Sequence, residues 1–224
     1  MISILRFAAI TIVLLTLFNT ISSNNTSRIE IPLRFKRSPR HIYPSVPITP
    51  LKQSKHPFAY QGKFNEEILR KYYLDIHNQL RSKHNTPPLQ YSIKLQQTAK
   101  KFCDELAYEN VGLYHDEKNY YEGENLFSII QRTIPDEWEL AKLTMNTFYD
   151  ELKFYSYDRY NPRGLINYGH ASQLLWYNSK YVGIGFSVVK GRGTFKVYIC
   201  MRYDPPGNVM NAWQFRRNVL PRNY

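Results

Sequence analysis

An α+β fold, with helices covering an antiparallel sheet, is the class that this 224-residue sequence predicts. Apolar residues at helical spacing fill the first half of its body, two strands at period two come late, and no β-α-β alternation lies between them. The body begins near Phe64. Ile68, Tyr72, Ile76 and Leu80 share one face of a first helix that Pro87-Pro88 must have ended. A second helix opens after Ser92, with Leu95, Ala99, Phe102 and Leu106 turned inward. Residues 110–128 read as loop, carrying His115 and the run Tyr121-Glu122-Gly123-Glu124-Asn125-Leu126. A third helix follows Pro135, a good first-turn residue, and Asp136 and Glu137 suit its positive end. Its apolar stripe is Trp138, Ala141, Met145, Phe148 and Leu152, with Glu151 near its end. An aromatic-rich loop over 154–169 then leads to His170, expected on a loop or first turn because Gly169 frees the backbone before it. Val182, Ile184, Phe186 and Val188 alternate along one strand; Gly191 and Gly193 punctuate a hairpin; Phe195, Val197, Ile199 and Met201 alternate along the other.

Ahead of the body the sequence is organised for export. Residues 1–23 read as a signal peptide, with Arg6 at a positive start, an apolar run from Phe7 to Phe18 and small residues at Ser22-Ser23. The run is shorter than the roughly 20 residues that span a bilayer. Asn24 and Asn25 head two overlapping glycosylation sequons. Arg34, Lys36 and Arg37 lie in a basic tetrapeptide resembling a furin-type cleavage site, which would make residues 24–37 a propeptide; a basic linker without processing is the alternative. Residues 38–63 form a basic, Pro-rich linker, and 64–224 the globular domain. The expected location is secreted and extracellular.

The net charge is +12, but residues up to 63 hold nine Lys/Arg against one acid, which leaves the body at only +4. Without a basic stripe interleaved with aromatics, a nucleic-acid partner is not expected. Cys103 and Cys200 are the only cysteines; Cys103 lies on the apolar face of the second helix and reads first as a small buried hydrophobe.

Several separate segments carry a family resemblance. Gly169-His170 with Gln173-Leu174-Leu175-Trp176 looks like one signature of the superfamily shared by cysteine-rich secretory proteins, venom antigen 5 and plant pathogenesis-related proteins (the CAP superfamily). Arg202-Tyr203-Asp204-Pro205-Pro206-Gly207-Asn208 looks like the second. His77-Asn78 with Arg81 and Pro88-Leu89 is similar to the opening helix and turn, and Gly123-Glu124-Asn125-Leu126 to the central motif. The likeness runs in order from about Phe64 to Tyr224, and cysteine poverty with Asn218-Val219-Leu220-Pro221 looks most like the Golgi-associated branch.

The resemblance implies a three-layer α-β-α sandwich with a central antiparallel sheet and a groove lined by two histidines and two glutamates. These match His115 and His170 as candidate metal ligands, with Glu124 and Glu151 adjacent; His84 competes with His115. Two imidazoles suit zinc, expected as an occasional occupant that the fold does not require. Glu124 and Glu151 could bind the metal, orient the imidazoles or do acid–base work. No complete hydrolytic device accompanies them, and Ser172 is a weak nucleophile candidate. Ala171 stands where the family usually has an aromatic residue, and Met201 where it has cysteine, so Cys103 and Cys200 are expected to be unpaired.

The function expected is a secreted, non-enzymatic binding protein for a sterol, fatty acid or other lipid. Phe154, Tyr155, Tyr157 and Tyr160 offer flat faces for stacking, although ordinary packing in a tyrosine-rich chain explains them equally well. The alternatives are a venom- or defence-like effector acting on a receptor or acidic cell surface, and a metal-dependent hydrolase. A weak homodimer is compatible with relatives of the cysteine-poor branch.

Overall fold

The computed structural model describes residues 65–223 and, as backbone alone, residues 28–30. The signal segment, both sequons, the basic tetrapeptide and the Pro-rich linker lie outside the described residues. The helices are α1 (Glu66–Ser82), α2 (Ile93–Glu109), α3 (Glu137–Tyr149), α4 (Leu165–Leu175) and α5 (Ala212–Asn218). The strands are β1 (Arg28–Glu30), β2 (Gln90–Tyr91), β3 (Gly123–Gln131), β4 (Tyr181–Lys190) and β5 (Phe195–Asp204).

Helix starts follow local chemistry. Asn65, Ser92, Asp136 and Asn211 each use a side-chain oxygen to accept a backbone N–H of the first turn of α1, α2, α3 and α5. Helix α2 ends on Asn110 in the left-handed region at φ 49°, a conformation that asparagine tolerates. The sheet order is β1-β3-β5-β4-β2. Strands β3, β5 and β4 run antiparallel, as does β1 on β3, but β2 pairs with β4 in parallel. The sheet is therefore mixed, antiparallel at its centre and parallel at one edge.

Two cores give the three layers. On one face, Leu69, Tyr73, Ile76 and Leu80 of α1 and Leu140, Ala141, Met145 and Phe148 of α3 pack on Phe127, Ile129, Val182, Ile184, Ile199 and Met201. On the other, Ala99, Phe102, Cys103 and Leu106 of α2 pack on Leu126, Tyr198 and Cys200. Contact with α2 is close because β4 carries two glycines beneath it. A Cβ on Gly185 would lie 2.3 Å from the Lys100 backbone nitrogen. The same rotation of α1 that buries Leu69 and Tyr73 leaves Ile68 42% exposed, so the expected stripe is shifted by one residue at its start.

Other departures concern whole elements. The stretch read as loop up to residue 128 contains β3, buried from Gly123 to Ile129. His170 lies well inside α4, not on a loop or first turn. Both cysteines are free and buried in the same core under α2; Cys103 Sγ contacts the Tyr198 carbonyl at 3.2 Å. Burial, with Cys103 beside it, pushes the Cys200 thiol pKa well up.

Arg81, fully buried near the end of α1, fixes the connection between α4 and β4. Its guanidinium donates to the carbonyls of Pro87 (2.7 Å), Leu174 (2.9 Å), Trp176 (3.0 Å) and Ser179 (3.0 Å). Burial lowers its pKa to about 10, still charged at neutral pH. No described helix is long and apolar enough to cross a membrane.

Candidate functional site: two histidine–glutamate pairs

The start of β3 and the end of β5 form one end of the sheet, and two histidine–glutamate pairs meet it from different layers. Gly123 and Gly207 leave room there for Gln173 of α4: a Cβ on Gly123 would lie 2.3 Å from Gln173 Oε1, and one on Gly207 2.8 Å from Nε2. Gln173 accepts from the Gly207 N–H at 2.8 Å and donates to Ser179 Oγ at 3.2 Å. The two glycine-bearing signature segments thus lock onto one amide.

The first pair comes from the loop after α2 and from β3. His115 Nδ1 hydrogen-bonds Glu124 Oε1, which also accepts from the Asp116 N–H at 3.2 Å. Opposite Glu124 in the β3–β5 register stands Arg202, with no exposed side chain. Its guanidinium lies 3.0 Å from Glu124 Oε2 as an ion pair, donates to Asp116 Oδ2 at 2.8 Å and reaches Glu122 at 3.9 Å. It also sits 5.2 Å above the Phe102 ring. Burial alone raises the Glu124 carboxyl; the Arg202 charge, then the His115 hydrogen bond, outweigh it and hold the pKa at about 2. The sequence alone does not mark Arg202 as a site residue, because its three acids lie some 80 positions earlier.

The second pair joins the 3-10 turn Asp150–Phe154 to α4. His170 Nδ1 bonds Glu151 Oε1 at 2.7 Å, and Glu151 Oε2 accepts the backbone N–H groups of His170 (2.9 Å) and Ala171 (3.2 Å). The His170 ring stacks on Phe148 at 4.6 Å and 3°. Asn125, next to Glu124 in β3, donates to the His170 carbonyl at 3.1 Å and so links the two pairs. Among the described residues, no group of three or more His, Cys, Asp or Glu side chains is placed to hold a metal ion.

A buried relay lies beneath. His77 Nδ1 faces the Tyr73 carbonyl at 2.8 Å, so it carries the proton; Nε2 then accepts from Tyr203 Oη at 2.8 Å, and Asn125 Nδ2 donates to that oxygen at 3.3 Å. Burial lowers the His77 pKa to about 4 from 6.5. The unfolded chain therefore binds the extra proton between those values, and stability falls as pH drops from 6.5 towards 4, by up to about 3 kcal/mol. Glu124, a depressed acid, adds its own loss from about 4.5 down to about 2. Denaturant midpoints should fall in two stages over this range, and His77→Gln should flatten the upper stage.

The remaining candidates fall away from this centre. His84 contacts the Leu220 carbonyl (2.7 Å) and Tyr149 Oη (2.8 Å) and does not join either pair. Ser172 Oγ lies within hydrogen-bond distance of three acceptors in a buried network, Asn208 Oδ1 at 2.6 Å and the Tyr168 and Gly169 carbonyls, and among the described residues no base is bonded to it. Tyr155 and Tyr160 are packed around Phe215 with Tyr168 and Trp176. Tyr157, at 36%, and Phe154, at 58%, are the aromatic faces of that loop open to solvent.

The profile described as "Cysteine-rich secretory protein family" matches residues 74–203. Golgi-associated plant pathogenesis-related protein 1 of Homo sapiens is 29% identical over 164 residues, covering 71% of this chain and 94% of that protein. Cysteine-rich secretory protein 3 of Equus caballus is 34% identical over 91 residues, covering 40% of this chain and 34% of that longer protein. The solved structure "Crystal structure of NaASP2 with Zn2+" shares the fold at TM-score 0.53 and 18% identity, covering 74% of this chain and 90% of that one.

Proposed function

The chain belongs to the cysteine-rich secretory protein family, and from that premise we propose that it is a secreted, non-enzymatic protein that binds a sterol or another lipid. The observation that carries the non-enzymatic part is the state of Glu124. Its two oxygens are taken by the His115 imidazole, the Asp116 N–H and the Arg202 guanidinium, which hold its pKa low and leave it a poor base and a poor acid for proton transfer near neutral pH. Ser172 lacks a base, and Glu151 is already engaged by an imidazole and two backbone N–H groups. Among the described side chains the site is built to hold its shape.

Lipid contact falls to the exposed part of the aromatic loop. Phe154 and Tyr157 present flat apolar faces, while Tyr155 and Tyr160 anchor the loop on Phe215. Labelled cholesterol should bind saturably to the full chain, and Phe154→Ser with Tyr157→Ser should weaken binding at least tenfold, leaving thermal stability within a few degrees. Unchanged affinity in the double variant would remove this loop from the ligand surface.

Zinc is supported as a weak, accessory occupant. Each glutamate holds an imidazole through Nδ1, the arrangement that directs Nε2 towards a metal in carboxylate–histidine–metal units. His115 and His170 would be the two imidazole ligands, with the rest of the shell left to water, and zinc held there would supply Lewis acidity. Calorimetric titration with zinc should show weak binding that His115→Ala and His170→Ala each abolish. Equal affinity in all three proteins would exclude these histidines.

An effector role at a cell surface is the second reading. Its support is the run of exposed apolar side chains at the end of α2 and in the loop beyond, Tyr108, Val111, Tyr120 and Tyr121.

A further inference from the structure

We propose that the outer edge of β3 is a strand-docking site whose resident occupant is the chain's own leader strand β1, and that cleavage after Arg37 makes that occupant releasable. The sheet order places β1 outermost, on β3 alone, in antiparallel register: Arg28 opposite Ile130, Ile29 opposite Ile129 and Glu30 opposite Ser128. With β1 removed, β3 becomes the edge of the sheet there. An edge carrying Ile129 and Ile130 offers a row of main-chain donors and acceptors beside apolar side chains, the kind of edge that recruits another extended segment. The leader strand supplies that segment from within the chain. Seven residues after Glu30 comes Arg37, the last residue of Arg34-Phe35-Lys36-Arg37. The strand that covers the edge therefore lies on the far side of the cleavage signal from the domain it covers.

Tethering decides occupancy. A three-residue strand makes few main-chain bonds, and while it is linked to the body its effective concentration is of the order of millimolar. Hydrolysis adds water across the Arg37–Ser38 amide, leaving a carboxylate on Arg37 and an amine on Ser38; a furin-class endoprotease is the catalyst and water the only co-reactant. At micromolar protein the severed peptide then meets its site at a concentration about a thousandfold lower, and it leaves. Processing would uncover an edge competent for strand addition.

Hydrogen–deuterium exchange on the full secreted chain, before and after furin-class digestion, tests the proposal. An Arg34→Ala/Arg37→Ala variant serves as the uncut control. Digestion should release residues 24–37 on size exclusion and raise deuterium uptake within 128–130, while the control stays protected. A synthetic peptide of residues 24–37 at about 1 mM should restore protection. The same peptide with Arg28→Pro and Ile29→Pro should not, since adjacent amides point to opposite sides and one of the two must face β3. Four results would overturn the proposal: no cut at Arg37; the cut peptide and its protection retained at micromolar protein; equal uptake in an uncut Arg28→Pro/Ile29→Pro chain and the wild type; or protection retained with a doubled mass, which would make a second copy the occupant.

Discussion

Arg202→Met is expected to destabilise the domain by about 3–5 kcal/mol, the cost of leaving a buried acid without its counter-charge. The loss is large because Arg202 serves Glu124, Asp116 and Glu122 at once from a position with no exposed side-chain surface. In a domain of this size the melting temperature should fall by roughly 10 °C or more. The pH dependence then distinguishes a lost charge from lost packing. Without Arg202, burial is the first influence on Glu124 and raises its pKa, so the folded variant takes up a proton more readily than the unfolded chain. The deficit should therefore shrink as pH falls through the carboxylate range. Adding Glu124→Gln to Arg202→Met should recover a substantial part of the stability, because the most buried of the orphaned charges is gone. A deficit that is flat with pH and unrelieved by the second change would point to packing alone.

Gly185→Ala is expected to cost about 3 kcal/mol or more, at or beyond the upper end for overpacked cores. The added methyl would meet backbone, not a side-chain tip: Lys100 N at 2.3 Å, Ala99 C at 2.5 Å and Lys100 Cα at 2.5 Å. Only a shift of α2 away from the sheet relieves that contact, and the shift would loosen the core around Phe102, Cys103 and Leu106. Because α2 also leads into the loop bearing His115, the first histidine–glutamate pair should be disturbed with it. Denaturant unfolding gives the magnitude. Labelling of Cys103 and Cys200 without denaturant should become faster in the variant, since both thiols lie in the loosened layer.

How much of this was legible in the sequence depends on where each residue finds its partners. Helix α2 could be read because its burial is one-sided: Leu95, Ala99, Phe102 and Leu106 are all buried at helical spacing. Helix α1 offered two adjacent stripes, and the choice between Ile68 and Leu69 was made by tertiary packing, with Tyr72 turned to the Trp138 ring at 5.2 Å. Strand β3 was hidden because both its faces are buried and it carries Glu124, Asn125 and Ser128, so neither alternation nor an apolar run marks it. Helix α4 was hidden for a related reason. His170, Ser172 and Gln173 look unsuited to burial until Glu151, Asn208 and Gly207 reach them from elsewhere in the chain. The histidine–glutamate partners were legible through family likeness, which named the four residues but not their division into two pairs. Arg202 was not legible as the charge that fixes Glu124, since only the β3–β5 register places it opposite.

Mass spectrometry for lipid co-purifying with the full chain tests the proposed binding function most directly. A sterol or fatty acid should be recovered chemically intact with the wild type and be depleted at least tenfold with Phe154→Ser/Tyr157→Ser. Recovery of no lipid above a mock purification, equal lipid in both proteins, or a lipid altered by incubation with the wild type would contradict a non-enzymatic lipid carrier.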